Sequence, residues 1–256
     1  MKSFLDIFQG ISYTVRTMGK KVPLILVCVD GLGWNYVVKN NCYFWQINGI
    51  PIQDIYPTMT CPNWSTLLTG VLPKKHRVID NTIKEDKCFK LKTPTIFDWY
   101  DKKYGKRRKS VVYYSWDSLV KLIPNKHPKK IWERDTVRKF TKYFLREKPD
   151  FSLVFVKQLD ETGHSYGWGS QEYDKRVRKI YKDVVNMVLK LQKKKKKFQM
   201  ILIADHGGKG FGHAQGGKHI STIPFVYYTN DHENTKKYKK PRNIREVNGI
   251  MKKLLT

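Results

Sequence analysis

No stretch of this chain approaches the ~18 consecutive apolar residues that a bilayer-crossing helix needs, so a membrane span is excluded. Cysteine is sparse: Cys28, Cys42, Cys61 and Cys88 follow no paired framework spacing, and Cys28 sits inside an apolar run. Reduced thiols in an intracellular protein are the expectation. The segment 1–21 carries no continuous apolar core of the kind a secretory leader has. It reads as an N-terminal extension, with 22–256 as one domain and a cytoplasmic location. Acidic residues are few as well: 22 Asp and Glu stand against 50 Lys and Arg, a formal charge of +28 over 256 residues. Such an excess raises the question of nucleic acid. Zinc-finger spacing, an aromatic RNA-binding motif and an Arg-rich arm are all missing, however, and the bases are mostly scattered Lys with one pure run at Lys193 to Lys197. A solvated Lys-rich face is the better reading, and specific nucleic-acid binding is not expected. The same field draws small anions such as phosphate esters.

Apolar residues make up 40% of the chain and aromatic residues 13%, enough to bury one substantial core. Val22 to Val29 reads as a strand of a parallel sheet, apolar from Leu24 onward and ending at Asp30-Gly31. Further strands are expected at Ser110 to Tyr114, Phe151 to Val156, Met200 to Ala204 and Pro224 to Tyr228. Helices are expected at Asn63 to Gly70, Thr95 to Tyr104, Asp135 to Arg146, Glu172 to Leu191 and Ile244 to Leu255. The longest carries Tyr173, Val177, Ile180, Tyr181, Val184, Val188 and Leu191 on one stripe. The stretch Asp231 to Lys240 reads as a polar loop, and there is no internal repeat. Alternating strands and helices of these lengths predict an α/β fold: a mostly parallel central sheet with helices on both faces.

Three short clusters of metal-ligand residues fall where strands should end: Asp30, then Asp160 to His164, then Asp205-His206 with His213 beyond. The carboxyl edge of an open sheet is where such folds bind ligands. Gly163 is expected to make a turn that aims Asp160 and His164 at one ion, with His213 as a third ligand. Asp30, Asp205 and His206 are candidates for a second ion. Mixed nitrogen and oxygen donors suit Zn²⁺, with Mn²⁺ as the alternative. An isolated Asp after a strand is often only a cap or turn residue. Only seven histidines exist in the chain, and three fall in these motifs, which argues against coincidence.

Thr60 is the candidate nucleophile, placed with Cys61 just ahead of the helix over Asn63 to Gly70, where unpaired backbone N–H groups welcome an anion. Metal coordination would make its weakly acidic hydroxyl reactive. The competing readings are that Thr60 is an ordinary helix cap, or that Cys61 is the nucleophile; against Cys61 stands the lack of a plausible histidine partner, since the histidines are better spent on metals.

The order Asp30, Thr60, Asp160-Glu161-Thr162-Gly163-His164, Asp205-His206-Gly207, His213 resembles the alkaline phosphatase superfamily, in its type I phosphodiesterase and nucleotide pyrophosphatase branch. Thr60-Cys61-Pro62-Asn63 matches the Thr-x-Pro-Asn context of that branch. Thr69-Gly70 matches its Thr-Gly pair, and His76-Arg77-Val78-Ile79-Asp80-Asn81 its His-Gly-Ile-x-x-Asn stretch. The resemblance covers roughly residues 22–228. It implies an alkaline-phosphatase-like fold with two divalent ions, one held by Asp160, His164 and His213 and the other by Asp30, Thr60, Asp205 and His206. His219 competes with His213. Asn81, and the backbone near Cys61, are expected to donate hydrogen bonds to a phosphoryl oxygen.

The implied activity is phosphodiester hydrolysis through a covalent phosphothreonine. A phosphomonoesterase or phosphonate hydrolase is the runner-up, and a Lys-rich nucleic-acid-binding protein the alternative of another class. Departures from the branch are Arg77 in place of glycine, Cys61 in place of an aromatic residue, and a chain short for an inserted recognition subdomain. Sulfatases are disfavoured by Thr60 and Trp64. Mutases of the superfamily are disfavoured because the segment between Asn81 and Asp160 is too short for their cap domain.

Overall fold

The computed structural model describes residues 22–84, 89–124, 126–213, 216–231 and 238–256. The expected N-terminal extension, Cys88 and most of the expected loop after Asp231 lie outside them. Seven strands form one sheet: β1 (Leu24–Val29), β2 (Gly49–Gln53), β3 (Ser110–Tyr114), β4 (Lys129–Trp132), β5 (Phe151–Val156), β6 (Gln199–Ala204) and β7 (Thr222–Thr229). Their order is β2-β7-β6-β1-β5-β3-β4. The five strands from β6 to β4 run parallel, whereas β7 and β2 add antiparallel pairings at one edge. The sheet is therefore mostly parallel, as expected.

The helices are α1 (Trp34–Lys39), α2 (Tyr43–Asn48), α3 (Thr60–Thr69), α4 (Pro73–His76), α5 (Ile96–Tyr104), α6 (Leu119–Leu122), α7 (Thr136–Glu147), α8 (Gln158–Tyr166), α9 (Gln171–Lys193), α10 (Lys218–Ser221) and α11 (Ile244–Leu254). Strand alternation assigns the main ones to opposite faces. Phe151 and Phe155 of β5 meet Phe97 of α5 and Trp64 of α3, with ring centroids 4.7 and 5.4 Å apart. Tyr113 of β3, in register with Val154 and so on the other face, meets Phe140 of α7 at 5.6 Å. Every residue of β1, β5 and β6 is buried, the condition under which strands read as continuous apolar runs.

Register is what builds the site. Val29 pairs with both Val156 and Ala204, so the three central strands end level, and the residues that follow them leave the same sheet edge side by side. Two expectations differ from what is observed. Helix α3 begins at Thr60 rather than Asn63, with Pro62 in its first turn, where a missing N–H costs nothing. Asp160 and His164 lie not on a turn but within α8, four residues apart on one helical face. Gly163 is there for space: a Cβ on it would come within 2.5 Å of the Trp168 ring.

Candidate metal centre

Asp30 follows β1, and its N–H donates to Val156 O at 2.9 Å. The next residue, Gly31, has φ +79, and a Cβ there would meet Asp160 Cα at 3.0 Å, so both the turn and the approach of α8 require glycine. The Gly31 N–H donates to Asp205 Oδ1 at 3.1 Å, which ties the end of β1 to the end of β6. The Gly31 carbonyl accepts from Trp168 Nε1 at 3.0 Å and from Tyr173 Oη at 2.6 Å. Asp30, Asp160, Asp205 and His206 are 0, 6, 0 and 0% exposed, with Thr60 at 2% and His213 at 7%.

Candidate ligand atoms of Asp30, Asp205 and His206 lie within 4.8 Å of one another, as do those of Asp160, His206 and His213. His206 belongs to both groups, and its ring stacks on that of His213 with centroids 3.7 Å apart. His164 is in neither group but stands at the more open side, its side chain 46% exposed and its Nε2 3.5 Å from Asp160 Oδ1. His219 is exposed on α10 and joins neither group. Glu161, although inside the motif, points away and pairs with Lys157.

The tautomers of the three histidines follow from their partners. The Nδ1 of His164 faces Phe211 O at 2.9 Å, that of His206 faces Gly207 O at 2.9 Å, and that of His213 faces Thr58 O at 2.7 Å. A carbonyl only accepts, so each Nδ1 carries the proton, and in the neutral ring Nε2 presents a lone pair. Those Nε2 atoms face carboxylates: His206 reaches Asp205 Oδ2 at 3.3 Å and Asp30 Oδ1 at 3.6 Å, and His213 reaches Asp160 Oδ1 at 3.9 Å. Lone pairs turned toward buried anions make a stable arrangement with a cation between them, and the backbone-pinned Nδ1–H is the support that metal-binding imidazoles use. The donor set therefore fits divalent ions. Burial pushes the Asp205 carboxyl up, the Gly31 N–H opposes this, and the charge of Asp160 adds to it. A bound cation would reverse that direction.

Thr60 Oγ1 lies 3.3 Å from His206 Nε2, at the first residue of α3. Asn81 is beside it: its Oδ1 accepts from Cys61 N–H at 2.9 Å, an orphan donor of the helix start. With Oδ1 engaged as acceptor, Nδ2 of Asn81 is the group left to donate. The pairing also differs from the expected role of the backbone near Cys61, because the N–H is already engaged. Behind this layer, Thr58 donates to His213 O at 2.6 Å and accepts from the same residue's Nδ1, clamping the two loops together. Thr58, Trp168 and Tyr173 are the supporting residues that sequence reasoning missed. Nothing in their spacing marks them, since Tyr173 reads as one more member of the α9 stripe.

Comparison with known proteins gives a consistent family. The chain is 27% identical over 216 residues to a venom phosphodiesterase of Macrovipera lebetinus, spanning 72% of this chain and 25% of that protein. It is 28% identical over 221 residues to ectonucleotide pyrophosphatase/phosphodiesterase family member 1 of Mus musculus, spanning 72% and 24%. The chain thus spans about a quarter of the length of these curated relatives. Among solved structures, inactive murine ectonucleotide pyrophosphatase/phosphodiesterase 5 in complex with AMP superposes with a TM-score of 0.58 at 19% identity, covering 73% of this chain and 57% of that one. A 2-O GAG sulfatase superposes with a TM-score of 0.63 at 12% identity, covering 92% and 71%. These likenesses establish the alkaline-phosphatase-like fold. The family model described as type I phosphodiesterase / nucleotide pyrophosphatase matches residues 24–216, from the first residue of β1 to beyond His213, and the chain belongs to that family.

Proposed function

We propose that this chain is a metal-dependent phosphoric diester hydrolase acting through a covalent phosphothreonine. The observation that carries the reading is the cluster itself: three imidazoles with Nδ1 pinned to backbone carbonyls, three buried carboxylates facing Nε2 atoms, and the Thr60 hydroxyl 3.3 Å from His206. Asp160, His164 and His213 would hold one divalent ion and Asp30, Thr60, Asp205 and His206 the other, with zinc the metal such donors favour and manganese the alternative. When bound, the two ions supply charge stabilisation to the phosphoryl oxygens and lower the pKa of the attacking oxygens.

The chain's own residues do the rest. Thr60 is held at the start of α3, where the helix dipole favours an anion. Its oxygen attacks phosphorus in line as the leaving alcohol departs, and Asn81 Nδ2 donates to a non-bridging oxygen. Water then displaces the threonine oxygen from the vacated side, so two inversions give net retention. Diesters are preferred because the matched motifs belong to the diesterase branch. The mouse relative was solved with AMP, so nucleotide diesters are the first natural substrates to assay.

The test is a turnover comparison of bis-p-nitrophenyl phosphate, p-nitrophenyl phosphate and nucleotide diesters after loading with Zn²⁺ or Mn²⁺. We expect a diester-to-monoester ratio above one, and loss of at least about 10³-fold in kcat for Thr60→Ala. A ratio below one overturns the diesterase assignment, and full activity of Thr60→Ala overturns the phosphothreonine.

A further inference from the structure

The sheet edge that carries the Asp/His cluster has a second opening. A cleft of about 480 Å³ lies just beyond the carboxyl ends of β4 and β5, between α7, α8 and α9. It is distinct from the cluster, because α8 separates the two. At about 100° per residue, Asp160 and His164 share one side of that helix, while Gln158, Glu161, Thr162 and Ser165 fall roughly on the opposite side and line the cleft.

Charge decides what the cleft accepts. Its four acids each have a cation of their own: Glu133 with Lys139 at 3.6 Å, Asp135 with Arg138 at 3.6 Å, Asp183 with Lys179 at 2.8 Å and Glu161 with Lys157 at 3.5 Å. Arg134 and Arg176 line the same cleft, and among the described residues no carboxylate lies within ion-pair distance of either. Two arginines without an ion-pair partner thus line a space of the size that holds small organic ligands. The inner wall is apolar, made by Val137, Val156 and Ile180, which are 5, 3 and 5% exposed, and Tyr166 stands on the rim at 59%.

We propose that this cleft binds an organic phosphate monoester. Arg134 and Arg176 hold its dianion, and its ring lies over the apolar wall and Tyr166. Two surplus positive charges match a phosphate dianion better than a single carboxylate, and the guanidinium fork fits phosphate oxygens in pairs. The site stands apart from the hydrolytic reading and does not need it. The phosphate has two possible sources, a separate molecule or the far end of an extended substrate.

The probe is AMP, titrated calorimetrically into the metal-loaded chain. We expect a binding class that weakens at least tenfold in the double variant Arg134→Ala/Arg176→Ala and is partly retained in Arg134→Lys/Arg176→Lys, which keeps the charge and protects the test against a folding defect. If the phosphate is a separate molecule, AMP changes turnover of bis-p-nitrophenyl phosphate non-competitively in the parent chain but not in the Ala variant. If it belongs to the substrate, the Ala variant raises KM at least tenfold for a 5′-phosphorylated dinucleotide and leaves bis-p-nitrophenyl phosphate unaffected. An isotherm unchanged in both double variants, or no AMP binding to the parent chain, overturns the proposal. Thr60→Ala tests the hydrolytic site separately.

Discussion

His76 links three pieces of the site at the level of a single side chain. Its Nδ1 accepts from Val78 N–H at 3.1 Å, so Nε2 carries the proton and donates to Thr66 Oγ1 at 3.0 Å. The neutral ring thereby ties the segment leading to Asn81 onto α3. Burial holds its pKa down at about 4, against 6.5 for an unperturbed histidine. Between those values the unfolded chain binds the extra proton, so this residue's contribution to stability is present above 6.5 and is lost as pH falls toward 4. The loss approaches about 3 kcal/mol at the acid end. Urea unfolding at pH 7 and pH 4.5 should show a smaller acid-induced fall in His76→Gln than in the parent chain. Its neighbour Arg77 stands where the family prefers glycine, and its φ of +63 supplies the reason. A left-handed conformation costs a residue with a Cβ about 1–2 kcal/mol. Arg77→Gly, which also gains unfolded-state entropy, is expected to raise unfolding free energy by about 0.5–1 kcal/mol without altering turnover.

At the scale of elements, the cluster depends on how closely α8 and the loop after β6 approach each other around Trp168. A Cβ on Gly208 would lie 2.2 Å from that indole, and one on Gly163 would lie 2.5 Å from it. Gly208→Ala cannot be absorbed by a small rotation, because Trp168 is itself fixed by its bond to Gly31 O. We expect a loss of about 1–3 kcal/mol in thermal or urea unfolding, together with reduced turnover, since His206 and His213 flank the displaced backbone.

The same elements show where sequence reasoning worked. β3 and β5 have the ends their apolar runs predict, and α9 follows its stripe of Tyr173, Val177, Ile180, Val184, Val188 and Leu191. α8 was not legible, because QLDETGHSY is short and polar and contains a glycine that looks like a turn. β4 was hidden by its two lysines, and β2 by Pro51, which an edge strand tolerates. β7 was recognised as a strand, but its apolar run says nothing about direction, and it pairs antiparallel with β6.

On the scale of the whole molecule, the chain concentrates three of its few acids in a buried centre while its surface is strongly basic. Among the described residues, no helix is long and apolar enough to cross a membrane. The buried carboxylates repel one another unless cations lie between them. Chelation should therefore lower the melting temperature as well as abolish turnover, and Zn²⁺ or Mn²⁺ should restore both. A metal present at about 100 times its dissociation constant stabilises the folded state by about 2.7 kcal/mol. The Asp30→Asn variant, which leaves the Asp160 and His213 group intact, should show a smaller chelation shift than the parent chain; an equal shift would argue against metal at the Asp30, Asp205 and His206 group.

The order of the motifs along the chain, the strand ends that deliver Asp30 and Asp205, and the family they mark were all determined by sequence alone, because apolar runs and short motifs are local signals. Tertiary structure decided which histidine joins the cluster, which ring nitrogen faces it, and that Asn81 meets Cys61. The choice of His213 over His219 rests on a carbonyl 155 residues away, at Thr58. Such a contact exists only once β1, β5 and β6 end level at one sheet edge, and no local pattern in the chain encodes it.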